Sequence, residues 1–322
     1  MADFWTDFPG MPEALDKVLG VINTSISSQN PVIRDALSSL FDGNGKLLRP
    51  GLLLIASRFG KPQKEKEINL AAALEMLHVS TLVHDDVIDD SPFRRGIPAV
   101  HSKYGKKDAV LIGDFLMSRS FLVTAEYTSP EQAVNLARVI SIICTMEIEQ
   151  NASRFHADSS IRRYFRKIMG KTALLFSLAC HVGAFEAKAP RAVTETLRRA
   201  GYNIGMAFQI IDDILDYSGE ETVVGKPLGR DLKDGIVTLP LITALKKDKS
   251  GELAKLCSKD TFQKTDINSI ITLVHELGGT GMAGAYARQF TNRALNEIDK
   301  LPRGTSRDML EKLTNNLLIR NY

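Results

Sequence analysis

Apolar positions along this chain recur with the period of a helix and seldom with that of a strand. Leu70, Leu74, Leu77, Thr81 and the stretch 83–88 form one long, largely apolar run that ends in acid. Further segments of helical period lie near 107–127, 131–155, 161–186, 192–218, 236–248 and 266–299. Period-two alternation is nearly absent, and the Asn44-Gly45 pair is followed by a helix-like segment, so no hairpin is read there. Gly, Pro and charge cluster at 43–50, 61–66, 91–98, 187–190, 219–235 and 301–305, where the helices should break. None of these breaks is long or biased enough for an interdomain linker. The pattern predicts an all-α protein, a single domain over 1–322 with roughly ten or more helices. Several are apolar on most faces, so a central layer surrounded by others is expected.

Composition narrows the picture without changing it. The 322 residues are 44% hydrophobic and 25% charged, with a formal net charge of +3. That is the make-up of a globular protein with a sizeable core and carries no polyanion signature, so no nucleic-acid partner is expected. Cys144, Cys180 and Cys257 are odd in number and far apart, and are read as reduced core residues. The first residues are acidic, without the basic start and apolar run of a secretory signal. No stretch is read as reaching the roughly 18–20 apolar residues of a spanning helix. The expectation is a cytoplasmic, non-membrane-spanning protein.

Chemistry enters with two acidic clusters. His84-Asp85-Asp86-Val87-Ile88-Asp89-Asp90 and Phe208-Gln209-Ile210-Ile211-Asp212-Asp213-Ile214-Leu215-Asp216 each place DDxxD at the end of an apolar helical run. Positions i and i+4 share a helix face, so Asp85 pairs with Asp89 and Asp212 with Asp216, with Asp86 and Asp213 beside them. Like charges at this spacing destabilise a helix. Something must neutralise them, and an oxygen-only donor set suits Mg²⁺, which keeps waters and shares phosphate oxygens. A lone DDxxD is as well read as a solvated helix end. Two copies in apolar surroundings are not.

Basic residues bounded by Gly or Pro surround these acids. Lys46 and Arg49 stand in GKLLRP, Arg94 and Arg95 precede Gly96, Lys171 lies in an apolar helix beside Thr172, and Lys226 stands between Gly225 and Pro227. Arginine grips phosphate as a fork and lysine as a point charge. Acid for metal, metal for phosphate and cations for the remaining oxygens together point to a diphosphate substrate.

The motifs GKLLRP at 45–50, HVSTLVHDDVIDD, RRG, KTALLF at 171–176, FQIIDDILD at 208–216 and GKPLGRDLKDG at 225–235 together resemble the trans-isoprenyl diphosphate synthases, or polyprenyl synthetases. The resemblance covers nearly the whole chain. It implies the isoprenoid synthase fold around a central cavity and a Mg²⁺-dependent head-to-tail condensation of isopentenyl diphosphate with an allylic diphosphate. Asp85, Asp86, Asp89, Asp212, Asp213 and Asp216 resemble ligands of a cluster of three Mg²⁺ ions. Arg94, Lys171 and Lys226 resemble the clamp on the allylic diphosphate, and Lys46, Arg49, His78 and Arg95 the isopentenyl diphosphate pocket. Gln209 and Thr172 fall where the family places polar groups beside the developing carbocation. His84 is read as a supporting or structural residue. Two departures, Met146 before Glu147 and Ile236 after the second motif, leave the proposed metal ligands untouched.

No two-residue insertion separates Asp86 from Asp89, and Ser80 and Thr81 are small where an aromatic ring would floor the cavity of a short-chain relative. A product could then grow past Ser80 towards Leu77 and Leu74. This predicts a medium-to-long polyprenyl chain, the size of a quinone side chain. Three alternatives stay open: a short-chain farnesyl or geranylgeranyl diphosphate synthase, a terpene synthase, and a subunit of a heteromeric synthase. By analogy with the family, a homodimer through the apolar 107–150 region is expected, with a heteromer as the other arrangement. Membrane contact is expected only as a transient one, for product release.

Overall fold

A computed structural model describes residues 2–41, 45–94, 96–151, 160–218, 228–259 and 261–318. In chain order the helices are α1 (Ala2–Trp5), α2 (Met11–Ser25), α3 (Pro31–Phe41), α4 (Leu48–Ser57) and α5 (Lys64–Ile88). A two-residue ribbon follows, β1 (Phe93–Arg94) antiparallel to β2 (Ile97–Pro98). Then come α6 (Val100–Tyr104), α7 (Lys106–Tyr127), α8 (Pro130–Asn151) and α9 (Ile161–Ile168). A π-helical turn over Met169–Ala173 leads into α10 (Leu174–Glu186) and α11 (Arg191–Ser218). The remainder is α12 (Arg230–Lys233), α13 (Leu239–Leu245), α14 (Glu252–Leu256), α15 (Lys264–Glu276), α16 (Gly279–Ile298) and α17 (Thr305–Leu318).

The all-α expectation holds, with three refinements. Helices α2 and α3 lie ahead of the first segment that periodicity marked. The segment 266–299 is two helices, broken where Gly278 adopts φ 71, a left-handed conformation that glycine tolerates and that ends a helix. The stretch Ile161–Glu186 is, contrary to expectation, long and apolar enough by composition to cross a membrane. It is interrupted by the π-turn, and 61% of its apolar window is buried inside the protein, as befits a core helix.

The chain divides into two compact units. The first comprises Met1–Ala137, Leu178–Arg198 and Leu301–Leu310. Its centre is α5, whose residues from Leu70 to Ser80 are buried on every face, which is why no single apolar stripe stands out. Helices α2, α4 and α7 pack around it. Ser120 of α7 donates its hydroxyl to the Ala73 carbonyl of α5 at 2.7 Å. Lys66 and the largely buried Glu186 pair at 2.5 Å, with the Thr128 hydroxyl as a further donor to Glu186.

The second unit comprises Arg138–Ser177, Arg199–Lys300 and Glu311–Tyr322. Ile204, Ala207, Ile211 and Ile214 recur at helical spacing on α11 and are at most 2% exposed. Tyr217, Leu232, Leu241, Ile267, Ile270 and Val274 form its second apolar cluster. Cys180 and Cys257 are buried as expected, but Cys144 on α8 is exposed. Ile236 is buried, and Met146 lies over Gly170 of the π-turn, where a Cβ would stand 2.4 Å from its sulfur. Both departures from the family pattern are thus packing residues.

Candidate active site

In the first unit, α5 emerges from the core at its acidic end. Asp85 and Asp89 are part-exposed, while Asp86 is only 4% exposed. The Asp89 N–H still bonds to the Asp85 carbonyl at 2.8 Å, so the helical turn that stacks the two carboxylates is intact. Asp90 then turns left-handed (φ 50), and its side chain meets Lys106 at 2.9 Å. The β1–β2 ribbon doubles back and presents Arg94. Its Nε and Nη2 donate to the two oxygens of Asp86, each at 2.6 Å, a bidentate charge-assisted fork.

His84 lies on the bare face of Gly113 on α7, with Nε2 3.3 Å from both the Val110 carbonyl and an Asp114 oxygen. It ties the acidic end of α5 to its neighbour, which fits the structural reading.

A cleft in this unit gathers residues far apart in sequence. Gly45, Leu47, Glu75, His78, Asp86 and Arg94 line it together with apolar side chains that include Phe41, Leu82 and Ile97. Lys46, between two of these lining residues, is exposed, and Arg49 is half-buried. Leu47 is left-handed (φ 46, ψ 44), which costs a non-glycine residue about 1–2 kcal/mol. Its carbonyl accepts from the Gly51 N–H at 2.9 Å, closing the first turn of α4.

The small residues before the cluster behave differently from one another. Ser80 is fully buried and donates its hydroxyl to the Leu77 carbonyl, while half-buried Thr81 donates to the His78 carbonyl, both at 2.8 Å. Ser80 shares a helix stripe with Ala73 and His84, the residues that meet α7; Thr81 shares one with Asp85. Leu77 and Leu74 are buried.

In the second unit, the three acids of α11 turn three ways. Asp212 is exposed. Asp213 is 5% exposed and accepts from the Tyr164 hydroxyl at 2.6 Å and from Gln209 Nε2 at 2.8 Å. The other end of Gln209 accepts from the Thr172 hydroxyl at 2.5 Å, so α9, the π-turn and α11 share one hydrogen-bonded chain. Asp216 accepts from the backbone N–H groups of Arg230 and Asp231, each at 3.1 Å, which fastens the second acidic motif to the GRD segment. Lys171 is exposed within the π-turn, a kind of insertion found often at functional sites.

Charge here is only partly compensated. Burial, and next Asp231, push Asp213 up to about 7, and the same two causes push Asp216 up to about 7. Tyr164 is held well above its ordinary value by burial and by Asp213, so it remains a donor at any working pH. Burial and then Lys171 lower Lys167, against the opposing pull of Asp231 and Asp213. Sequence pattern alone does not single out Tyr164, Lys167 or Asp231. Each reaches the site through tertiary packing, and only the DLKD that follows Gly229-Arg230 carried a hint.

A divalent cation fits this chemistry. The donors are oxygens, and Asp213 and Asp216 resist ionisation because of burial and next because of Asp231, a cost that a bound cation would offset. Among the described residues no three carboxylates, histidines or cysteines close into a ready-made ion cage. Mg²⁺ does not require one, since it keeps several waters and draws ligands from substrate phosphates. Arg95 and Lys226, expected at the diphosphates, lie outside the described residues.

Known proteins share this arrangement of sequence and fold. Residues 30–274 match the family model described as Polyprenyl synthetase. A heptaprenyl diphosphate synthase component 2 from Geobacillus stearothermophilus is 36% identical over 304 residues, 94% of each chain. The crystal structure of a geranylgeranyl pyrophosphate synthase from Lactobacillus brevis superposes with a TM-score of 0.92 at 35% identity, covering 99% of this chain and 100% of that one. A polyprenyl synthase from Caulobacter crescentus, complexed with calcium and isoprenyl diphosphate, gives 0.91 at 32% identity over 96% of this chain and 95% of that one. The chain has the isoprenoid synthase fold and belongs to the polyprenyl synthetase family.

Proposed function

We propose that this protein condenses isopentenyl diphosphate with an allylic diphosphate, head to tail, to make an all-trans polyprenyl diphosphate of medium-to-long chain, a quinone side-chain precursor. The carrying observation is a pair of acidic helix ends in a polyprenyl synthetase. One is joined to an arginine fork, and the other holds two carboxylates that resist ionisation. The whole chain, 1–322, acts as one catalytic domain in this reading.

Asp85, Asp86, Asp89, Asp212, Asp213 and Asp216 would hold Mg²⁺, three ions per site with substrate bound. When bound, Mg²⁺ would supply positive charge on the allylic diphosphate and make it a better leaving group. Arg94, Lys171 and Lys226 grip that diphosphate's remaining oxygens, which stabilises charge as it develops on departure. Arg94 is already aimed by its fork on Asp86. Lys46, Arg49, His78 and Arg95 hold isopentenyl diphosphate so that its double bond meets the allylic carbon. Gln209 and Thr172 present their dipoles to the carbocation, fixed in direction by the bond between them. The proton lost afterwards goes to the released pyrophosphate.

Similarity to a heptaprenyl synthase component and the small Ser80 and Thr81 support the longer product. Similarity to a geranylgeranyl pyrophosphate synthase favours a twenty-carbon product instead. Incubation with isopentenyl diphosphate, several allylic primers and Mg²⁺, followed by sizing of the dephosphorylated products, decides. Chains of thirty or more carbons are expected; products that stop at fifteen or twenty would overturn the longer reading. Thr81→Phe, on the stripe of Asp85, should shorten the product while consumption of the allylic primer continues.

Helix α8 has no buried side chain among those described, and it exposes Val134, Ile142 and Ile148; α7 exposes Leu111, Phe121 and Leu122. These faces support a homodimer. The name component 2 carried by a relative favours the other arrangement, a heteromer with a second chain. Light scattering of the purified protein, with its activity measured alone, separates the two. The enzyme works in the cytoplasm and meets the membrane only to deliver its product.

A further inference from the structure

The loop Gly45–Leu47 is braced by an aromatic turn at the N-terminus. The Trp5 indole N–H donates to the Lys46 carbonyl at 2.6 Å, and the Lys46 ammonium lies 5.2 Å from the centre of the Phe4 ring. Trp5 is 1% exposed and sits on Gly51 of α4, where a Cβ would stand 2.2 Å from the indole. Phe4 and Phe8 meet its ring edge-on at 5.1 and 5.0 Å, so the indole is locked in place. At the far end of α4, Arg58 donates to the Pro9 carbonyl at 3.0 Å. The N-terminal segment therefore brackets α4, the helix that carries Arg49, at both ends.

This bracing meets a need. Leu47 is held in a left-handed conformation that a leucine disfavours, and the bond to the preceding carbonyl is one of the contacts that keep it there. A lysine side chain also loses several rotamers when it grips a phosphate. With its backbone pinned and its ammonium resting on a ring, much of that ordering is completed before substrate arrives. The ring contact is weaker than a charge-assisted bond to phosphate, so it yields the ammonium readily.

We propose that Trp5, assisted by Phe4, is a positioning residue for isopentenyl diphosphate, acting through Lys46 and Arg49. The proposal rests on the assignment of those two cations to that substrate.

Steady-state kinetics with each substrate varied in turn, and a thermal melt for every variant, test it. Lys46→Ala checks the underlying assignment and should raise the KM for isopentenyl diphosphate with little change in that for the allylic primer. Trp5→Phe keeps a ring and loses the N–H; it should raise the same KM about three- to tenfold, with kcat and the allylic KM within about twofold. Phe4→Leu, at a half-buried position that does not threaten folding, should raise it about twofold. In the Lys46→Ala background, Trp5→Phe should add less than it does alone. If Lys46→Ala leaves the isopentenyl KM unchanged, the substrate assignment fails and the proposal with it. If Lys46→Ala raises it but Trp5→Phe and Phe4→Leu do not, the proposal alone fails. A Trp5→Phe effect spread equally over both substrates, or over kcat, would make the brace merely structural and also overturn it.

Discussion

The two acidic clusters share a motif and differ in how their charge is handled. Asp86, nearly buried, has its carboxylate matched by the Arg94 fork. Asp213, equally buried, is held by the neutral donors Tyr164 and Gln209 and crowded by Asp231, and it is pushed up to about 7. Asp216, held by two backbone N–H groups, shares that fate. One DDxxD therefore has a guanidinium already in place, which the proposed function would share with a phosphate. The other holds carboxylates that burial, and next the neighbouring Asp231, make costly to ionise, a cost that a divalent cation would relieve. Identical spacing in sequence does not imply identical electrostatics.

That contrast breaks first under substitution of the two buried acids. Asp86→Asn and Asp213→Asn should each lower kcat about 10³-fold, as loss of a metal ligand and of charge stabilisation requires. Their effects on the metal-free protein should have opposite signs. Asp86→Asn leaves a partly buried guanidinium with a weaker partner, so melting should fall by several degrees. Asp213→Asn removes a carboxylate that resists ionisation, so melting at pH 8 should rise. Differential scanning fluorimetry without metal reads both; equal signs would remove the distinction.

A smaller effect sharpens the second cluster. The Tyr164 hydroxyl lowers the pKa of Asp213 against the burial that raises it. Tyr164→Phe should therefore weaken Mg²⁺ affinity, so that more Mg²⁺ is needed for half-maximal activity, and move the acid limb of the pH–rate profile upward, with kcat reduced about tenfold. An unmoved limb would reduce Tyr164 to packing.

A further effect is on stability. Asp213 and Asp216 titrate near 7 in the folded chain and near 3.8 when unfolded. Between those values the folded state binds more protons, so the metal-free protein should lose stability as pH rises from about 4 to about 8. Added Mg²⁺ should restore more melting temperature at pH 8 than at pH 5. A melting temperature that rises with pH across this window would contradict the assignment.

Much of this was legible from residue order, and the reason is local physics. Helical period marked α11, because its core stripe of Ile204, Ala207, Ile211 and Ile214 repeats every three or four residues. The i, i+4 spacing of Asp85 and Asp89 needs only one intact turn, and that turn is present. What was hidden depends on contacts across long stretches of chain. Trp5 meets Lys46 and Tyr164 meets Asp213 only after folding. The choice of Arg94 to grip Asp86 needed the β1–β2 ribbon, two residues per strand and too short to alternate. The exposure of Cys144 belongs to α8 as a whole, whose apolar residues do not mark its buried face because it has none among the described residues.

The central claim is that carboxylates from both clusters act on one diphosphate through divalent ions. Isothermal titration of a non-ionisable allylic thiolodiphosphate, with and without Mg²⁺, into the wild type, Asp85→Asn and Asp212→Asn tests it most directly. The expected result is Mg²⁺-dependent binding in the wild type that weakens at least tenfold in both variants. Wild-type affinity retained in either variant would contradict the claim, because one cluster would then hold the head group without the other.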